Sequence, residues 1–144
     1  MIATASEANH DYLRELGAEP VAYGDGLAAR VRALAPSGVD AAADLVGTDE
    51  AVATSLDLVT DRDRVVTIVQ GTASRAAGVR ALGGGPGADP GTAVRGASVP
   101  VLLRLAGEGR LRVVVSATYP LDRTADAHRA VRDGHTRGKV VVVP

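Results

Sequence analysis

The sequence predicts an α/β fold, with a mostly parallel sheet flanked by helices. Three observations carry this. Short apolar runs alternate with stretches whose apolar residues recur at helical spacing. The runs at 39–46, 64–69 and 140–143 are apolar at most positions, as strands covered on both faces are. Capping and stop residues (Ser6, Gly17, Pro36, Gly38, Thr48, Gly134) separate the two kinds of segment.

Residues 2–5 read as a short strand. Ser6 is placed to cap a helix, its hydroxyl accepting a freed backbone N–H, with Glu7 in the first turn where the helix dipole favours an acid. That helix carries Ala8, Tyr12, Leu13 and Leu16 and stops at Gly17. Residues 21–23 form a second strand, closed by Gly24-Asp25-Gly26. Leu27, Val31 and Leu34 mark the next helix, ended by Pro36 and Gly38. A strand over 39–46 follows, then a helix capped by Thr48 with Val52, Leu56 and Val59 on one stripe. The β-branched run 64–69 is the clearest buried strand. Residues 71–92 hold seven glycines and two prolines and read as a flexible loop or insertion. Helix resumes over 93–107, starting either there or after Pro100. A strand at 111–117, a helix begun by Asp122 and ended by Gly134, and a strand at 140–143 complete the chain. No internal repeat occurs.

Composition narrows the function. The 144 residues are one domain's worth, 46% hydrophobic and 23% charged, which is globular composition. The formal charge of -1 gives no basic field to draw nucleic acid or anionic lipid. Aromatics are 2%, too few for a base-stacking platform. No run of about 18 apolar residues spans a membrane, and residues 1–6 do not form a signal peptide. The sequence has no cysteine, which removes disulfides, thiolate nucleophiles and cysteine-held zinc and suits a cytoplasmic location. His10, His128 and His135 lack the close spacing of a metal site, so none is expected. There is no Walker loop, nucleophile elbow or triad spacing. Gly83, Gly85 and Ala88 match G-x-G-x-x-A in form, but 79–82 is a poor strand and Asp89-Pro90 follows directly, so the loop reading is preferred to a phosphate cradle.

Several segments taken in order resemble a known family. They are Ile2-Ala3-Thr4-Ala5-Ser6, Leu13-Arg14-Glu15-Leu16-Gly17-Ala18-Glu19, Val21-Ala22-Tyr23, and Val39-Asp40 with Asp44-Leu45-Val46-Gly47. Asp63-Arg64-Val65-Val66-Thr67-Ile68, Ala127-His128-Arg129-Ala130 and Gly134-His135-Thr136-Arg137-Gly138-Lys139-Val140-Val141-Val142-Val143-Pro144 follow. Together they resemble the C-terminal half of the medium-chain dehydrogenase/reductases, in the zinc-free quinone-oxidoreductase branch. The resemblance covers nearly the whole chain except the glycine-rich loop.

Intact members of that family pair a β-barrel-type substrate domain with a Rossmann domain that binds NADP(H). The resemblance implies an incomplete Rossmann-like fold over 1–144, with the substrate domain absent. The first strand is absent too, and with it the glycine fingerprint that cradles pyrophosphate. That strand lies mid-sheet in the family, so unpaired edges are expected at residues 2–5 and 41–45. Three outcomes are open: the flanking strands pair directly, a partner segment fills the gap, or the domain is marginal alone.

The resemblance also names cofactor-side candidates. Thr4 and Ser6 end the strand where relatives choose between cofactors, and their small hydroxyls favour NADP(H), with affinity weakened or lost without the fingerprint. Asn9 lies on the same surface. Tyr23 matches a family tyrosine at the adenosine phosphate end, and Val46 and Gly47 pass the ribose. His135, Arg137 and Lys139 precede the last strand. The plainer readings are a helix cap for Ser6, strand-end packing for Tyr23, a turn requiring glycine at 47, and surface charge for Arg137 and Lys139. No catalytic residue is named. The leading expectation is the nucleotide-binding portion of an NADPH-dependent quinone-type oxidoreductase, inactive alone, its abrupt start suggesting a fragment. One alternative is a truncated module that homodimerises through exposed strand edges, including that near 140–143. The other is a small self-contained binder or enzyme reusing the strand-end crevice.

Overall fold

Strands form where apolar and β-branched residues can pair, and helices form between them where the spacing is helical. The computed structural model describes residues 1–69, 71–83, 85, 87–134 and 136–144. These fall into two compact units, Met1–Gly91 and Thr92–Pro144.

The first unit alternates strand and helix: β1 (Ile2–Thr4), α1 (His10–Glu15), β2 (Glu19–Val21), α2 (Leu27–Leu34), β3 (Ala42–Asp44), α3 (Asp49–Leu58), β4 (Val65–Thr67), α4 (Thr72–Ala76) and β5 (Arg80–Ala81). β1 and β2 make one parallel pair, with Ile2 opposite Glu19 and Thr4 opposite Val21. β3, β4 and β5 make a second parallel sheet, in that order. Parallel pairing follows from the connections, since a crossover through a helix returns the chain to the same end of the sheet. Val21, Leu27 and Val31 form the buried core, with Ile2, Val39 and Leu58 packed against it. Val52, Val59 and Val65 are buried as well.

The second unit holds α5 (Thr92–Gly107), β6 (Val115–Pro120), α6 (Thr124–Arg132) and β7 (Lys139–Val143), and β6 and β7 pair in parallel. A register irregularity falls between Val115 and Ala117. Gly138 (φ +97°) passes so close to Val114 that a Cβ would lie 2.3 Å from its carbonyl oxygen. Asp126, on α6, is paired with both Arg123 and Arg129. The hydrogen bond from Arg123 and the charge of the two guanidiniums hold its carboxyl below its ordinary value.

The α/β class and the parallel pairing are as expected; several boundaries differ, each for a local reason. The second strand is Glu19–Val21, two residues earlier than expected, with Pro20 inside it. Glu19 N–H donates to Met1 O and Ala5 N–H to Val21 O, so residues 19 and 21 face β1. Pro20, lacking an N–H, faces the unpaired side. The 39–46 run yields only Ala42–Asp44, because the carboxylate of Asp44 turns the chain out of the strand. It is also not covered on both faces, since Ala43 is exposed. The segment 71–92, expected as loop, carries α4 and β5; β5 extends the sheet beyond β4. Gly83 N–H donates to Asp89 O and Asp89 N–H to Ala81 O, so the ends of the glycine-rich turn are pinned together. Pro100 lies inside α5 rather than before it. The expected strand at 111–117 is shifted to Val115–Pro120 by its pairing with β7.

Among the described residues, the edges expected to be unpaired remain so. β1 pairs with β2 and β3 with β4, and the two sheets do not join among the described residues. Met1 O and Ala5 N–H engage β2, and N–H and C=O groups alternate sides along a strand, so those of Ile2 and Thr4 face the other edge. Asp44 O accepts from Ile68 N–H, so Ala43 likewise turns its backbone groups away from β4. Direct pairing of these two strands is therefore not the outcome.

Candidate functional site

The carboxyl ends of β1, β2, β3 and β4 each lead into a short turn, and the turns are tied by specific side chains. The tightest lies after β3. Asp44 is buried, and its Oδ1 accepts the N–H groups of Val46 at 3.0 Å and Gly47 at 2.8 Å. This is a turn made by a side chain mimicking a backbone carbonyl. Its Oδ2 lies 2.8 Å from Oγ1 of Thr67, which is fully buried at the end of β4. Thr67 Oγ1 also accepts from Val69 N–H at 3.0 Å and lies 3.0 Å from Val69 O. Its single proton goes to the carboxylate, the stronger acceptor.

Asp44 and Thr67 thereby lock two strand-end turns together. Gly47 has φ +81°, and a Cβ there would lie 2.4 Å from Val69 Cγ1. Across the same contact, a Cβ on Gly71 would lie 3.2 Å from Gly47 O. Only glycine fits at 47, for both its backbone angle and its neighbour. Thr48 then caps α3, its Oγ1 accepting from Ala51 N–H at 3.2 Å. Above this framework, Leu45, Val46 and Ile68 are exposed apolar side chains at the strand ends.

After β2, Tyr23 is exposed and the next residue, Gly24, has φ +94°. Gly24 N–H donates to Glu50 Oε2 of α3 at 3.0 Å. Arg30 of α2 donates to the carbonyls of Ala22, Gly24 and Asp25. After β1, Ser6 does not cap the following turn. Its hydroxyl instead accepts from the Asn9 amide at 3.1 Å, and the helix proper begins only at His10. His10 Nε2 donates to Ala5 O at 3.2 Å, closing this turn.

Of the residues singled out in the sequence, Thr4, Ser6, Asn9, Tyr23, Val46 and Gly47 all follow or end parallel strands of the first unit. Ser6 and Asn9 are brought into direct contact. Gly47 meets the plainer expectation of a turn that requires glycine. Arg137 and Lys139 belong to the second unit, and His135 lies outside the described residues. The structural roles of Asp44, Thr67, Arg30 and Glu50 were not anticipated. The pattern Asp-x-x-Gly at a strand end was the available signal for Asp44. Nothing local marks Arg30 or Glu50, whose partners depend on the fold. Among the described residues no three acidic or histidine side chains gather where they could hold a metal ion, and no helix is long and apolar enough to cross a membrane.

Comparison with known proteins places this geometry. The family model described as zinc-binding dehydrogenase matches residues 16–142. No curated protein matches significantly by sequence. Among solved structures, a probable oxidoreductase from Mycobacterium abscessus is similar over 99% of this chain and 46% of its own, at 27% identity and TM-score 0.66. An NAD-dependent alcohol dehydrogenase is similar over 99% of this chain and 43% of its own, at 24% identity and TM-score 0.71. The CurK enoyl reductase is similar over 99% and 47%, at 22% identity and TM-score 0.69. The chain spans less than half the length of each of these.

Proposed function

The chain belongs to the zinc-binding dehydrogenase family, and we propose from this that it is the nucleotide-binding portion of an NADPH-dependent, quinone-type oxidoreductase. Its fold is the Rossmann-like portion of medium-chain dehydrogenase/reductases. The observation that carries the reading is the set of strand-end turns in the first unit. Ligands of parallel α/β sheets collect at the carboxyl ends of the strands. Here those ends carry small hydroxyls, an exposed tyrosine and a backbone turn held rigid by Asp44.

In this reading Thr4 and Ser6 face the 2′-phosphate of the cofactor. Ser6 Oγ accepts from Asn9, which leaves its proton free to donate to an anion. Tyr23 meets the adenosine end, and Val46 and Gly47 pass the ribose. These residues would hold the dinucleotide, which when bound would supply hydride chemistry to the intact oxidoreductase. Among the described residues no three histidine or acidic side chains stand together to hold a zinc ion, and the sequence has no cysteine to ligate one. In intact relatives most of the substrate site lies in a separate domain, so residues 1–144 by themselves are expected to be inactive towards quinones.

The test is calorimetric titration of the full chain with NADPH and with NADH. Binding with preference for NADPH, however weak, supports the reading, and no heat at millimolar concentration of either cofactor overturns the assignment of these strand-end turns to the dinucleotide.

A second reading, homodimerisation, is favoured by the edges of β1 and β3, which pair with no other strand among the described residues and so offer templates for another strand. Among the described residues the outer edge of β7 is a further such template. Light scattering across a concentration series distinguishes a dimer from a stable monomer.

A further inference from the structure

We propose that Arg30 and Glu50 are positioning residues that hold the turn after β2 so that Tyr23 meets the dinucleotide in one fixed pose. This rests on the dinucleotide reading above.

The turn has little of its own to restrain it. Gly24 and Gly26 both adopt left-handed backbone angles (φ +94° and +81°), and Tyr23 is 61% exposed. A glycine-rich segment with an unburied aromatic ring samples many states unless something external fixes it. Two helices do so here, acting on opposite halves of the backbone.

From α2, the Arg30 guanidinium takes the carbonyls. Nε and Nη2 donate to Ala22 O at 3.1 and 2.8 Å, Nη2 also to Gly24 O at 2.8 Å, and Nη1 to Asp25 O at 2.6 Å. From α3, Glu50 Oε2 takes the Gly24 N–H at 3.0 Å. Both sets are charge-assisted, and the planar guanidinium fixes the relative placement of three carbonyls as a flexible ammonium cannot.

Arg30 is thus committed to the protein backbone and acts through the turn it holds. A side chain presented from a fixed backbone has already lost much of the freedom that binding would otherwise remove. The neighbouring Arg32–Asp57 pair provides a contrast. It joins side chain to side chain at 2.7 Å, with both partners about half exposed.

The experiment is a double-mutant cycle on the full chain, read by NADPH fluorescence titration and by exchange of the Gly24 amide. Arg30→Gln and Glu50→Ala each weaken NADPH binding about three- to tenfold. Glu50→Gln, which keeps an acceptor for Gly24, retains the parent affinity, and Arg32→Gln changes nothing. In a Tyr23→Ala background, Arg30→Gln adds less than about twofold, because the residue through which it acts is gone. Glu50→Ala accelerates Gly24 exchange with or without cofactor. Losses that simply add in the Tyr23→Ala background overturn the proposal while leaving the dinucleotide reading intact. Unchanged Gly24 exchange in Glu50→Ala overturns it as well. Absence of any NADPH binding by the parent chain overturns both. Where Arg30→Gln does not fold, a Tyr23→Ala and Glu50→Ala cycle decides by the same criterion.

Discussion

Replacing Gly47 by alanine tests the interlocked turns most directly. Two separate penalties apply. The backbone sits at φ +81°, where an L side chain is strained by about 1–2 kcal/mol. The new Cβ would also lie 2.4 Å from Val69 Cγ1 and 2.7 Å from Val69 Cβ, too close for any real contact. Relieving that overlap shifts the turn against β4 and costs about 1–3 kcal/mol more. Gly17 provides the matched control, because its φ is the same +81° but nothing lies within 4 Å of its Cβ position. Gly17→Ala is therefore expected to lose only the backbone part, about 1–2 kcal/mol, and Gly47→Ala about 2–5 kcal/mol. The assay is equilibrium urea unfolding, followed by amide signals of Val65 and Thr67 so that the first unit is read by itself. If the two substitutions differ by less than about 0.5 kcal/mol, the packing of Gly47 against Val69 is not what fixes the turn.

Two further outcomes follow from the same physical picture. Asp44→Ala removes the acceptor of two N–H groups and of the Thr67 hydroxyl, and is expected to destabilise the first unit by about 2–4 kcal/mol in urea unfolding. Asp44→Asn is expected to lose about 1 kcal/mol or less, because the amide oxygen still serves Val46 and Gly47 while Thr67 turns its proton to Val69 O. Equal losses in the two variants would contradict the assigned hydrogen bonds. For Asp126 the folded carboxyl titrates below its unfolded value, so its contribution to stability is present above roughly pH 4 and is lost as pH falls through the lower folded value. A carboxyl-carbon NMR titration should show the lowered midpoint, and Asp126→Asn should flatten the acid side of the stability profile. A midpoint at or above the ordinary carboxylate value would refute this.

Much of the architecture was legible in the sequence because its causes are local. The stripe Leu27, Val31, Leu34 became α2, Thr48 caps α3 as expected, and the β-branched run gave the buried strand around Val65 and Thr67. Boundaries were less legible where side chains compete with the ladder. Asp44 ends its strand early by capturing two backbone N–H groups. Ser6 bonds Asn9 instead of capping, which leaves only a short 3-10 turn (Glu7–Asn9) before α1. A two-residue strand among glycines, as at Arg80–Ala81, carries too few residues for a period and exists only because the edge of β4 is there to pair with.

The sequence by itself determined the alternation of strand and helix, hence the parallel pairing, and the glycine requirement after Asp44. These are consequences of spacing and turn chemistry within a few residues. Only the tertiary structure decided that Asp44 meets Thr67, 23 positions away, and that Glu50 meets the backbone of Gly24, 26 positions away. It alone decided that, among the described residues, β1 and β3 lie in separate sheets. Such contacts depend on register and on how helices pack, which are settled by the burial of Val21, Leu27 and Val31 together and not by any one segment.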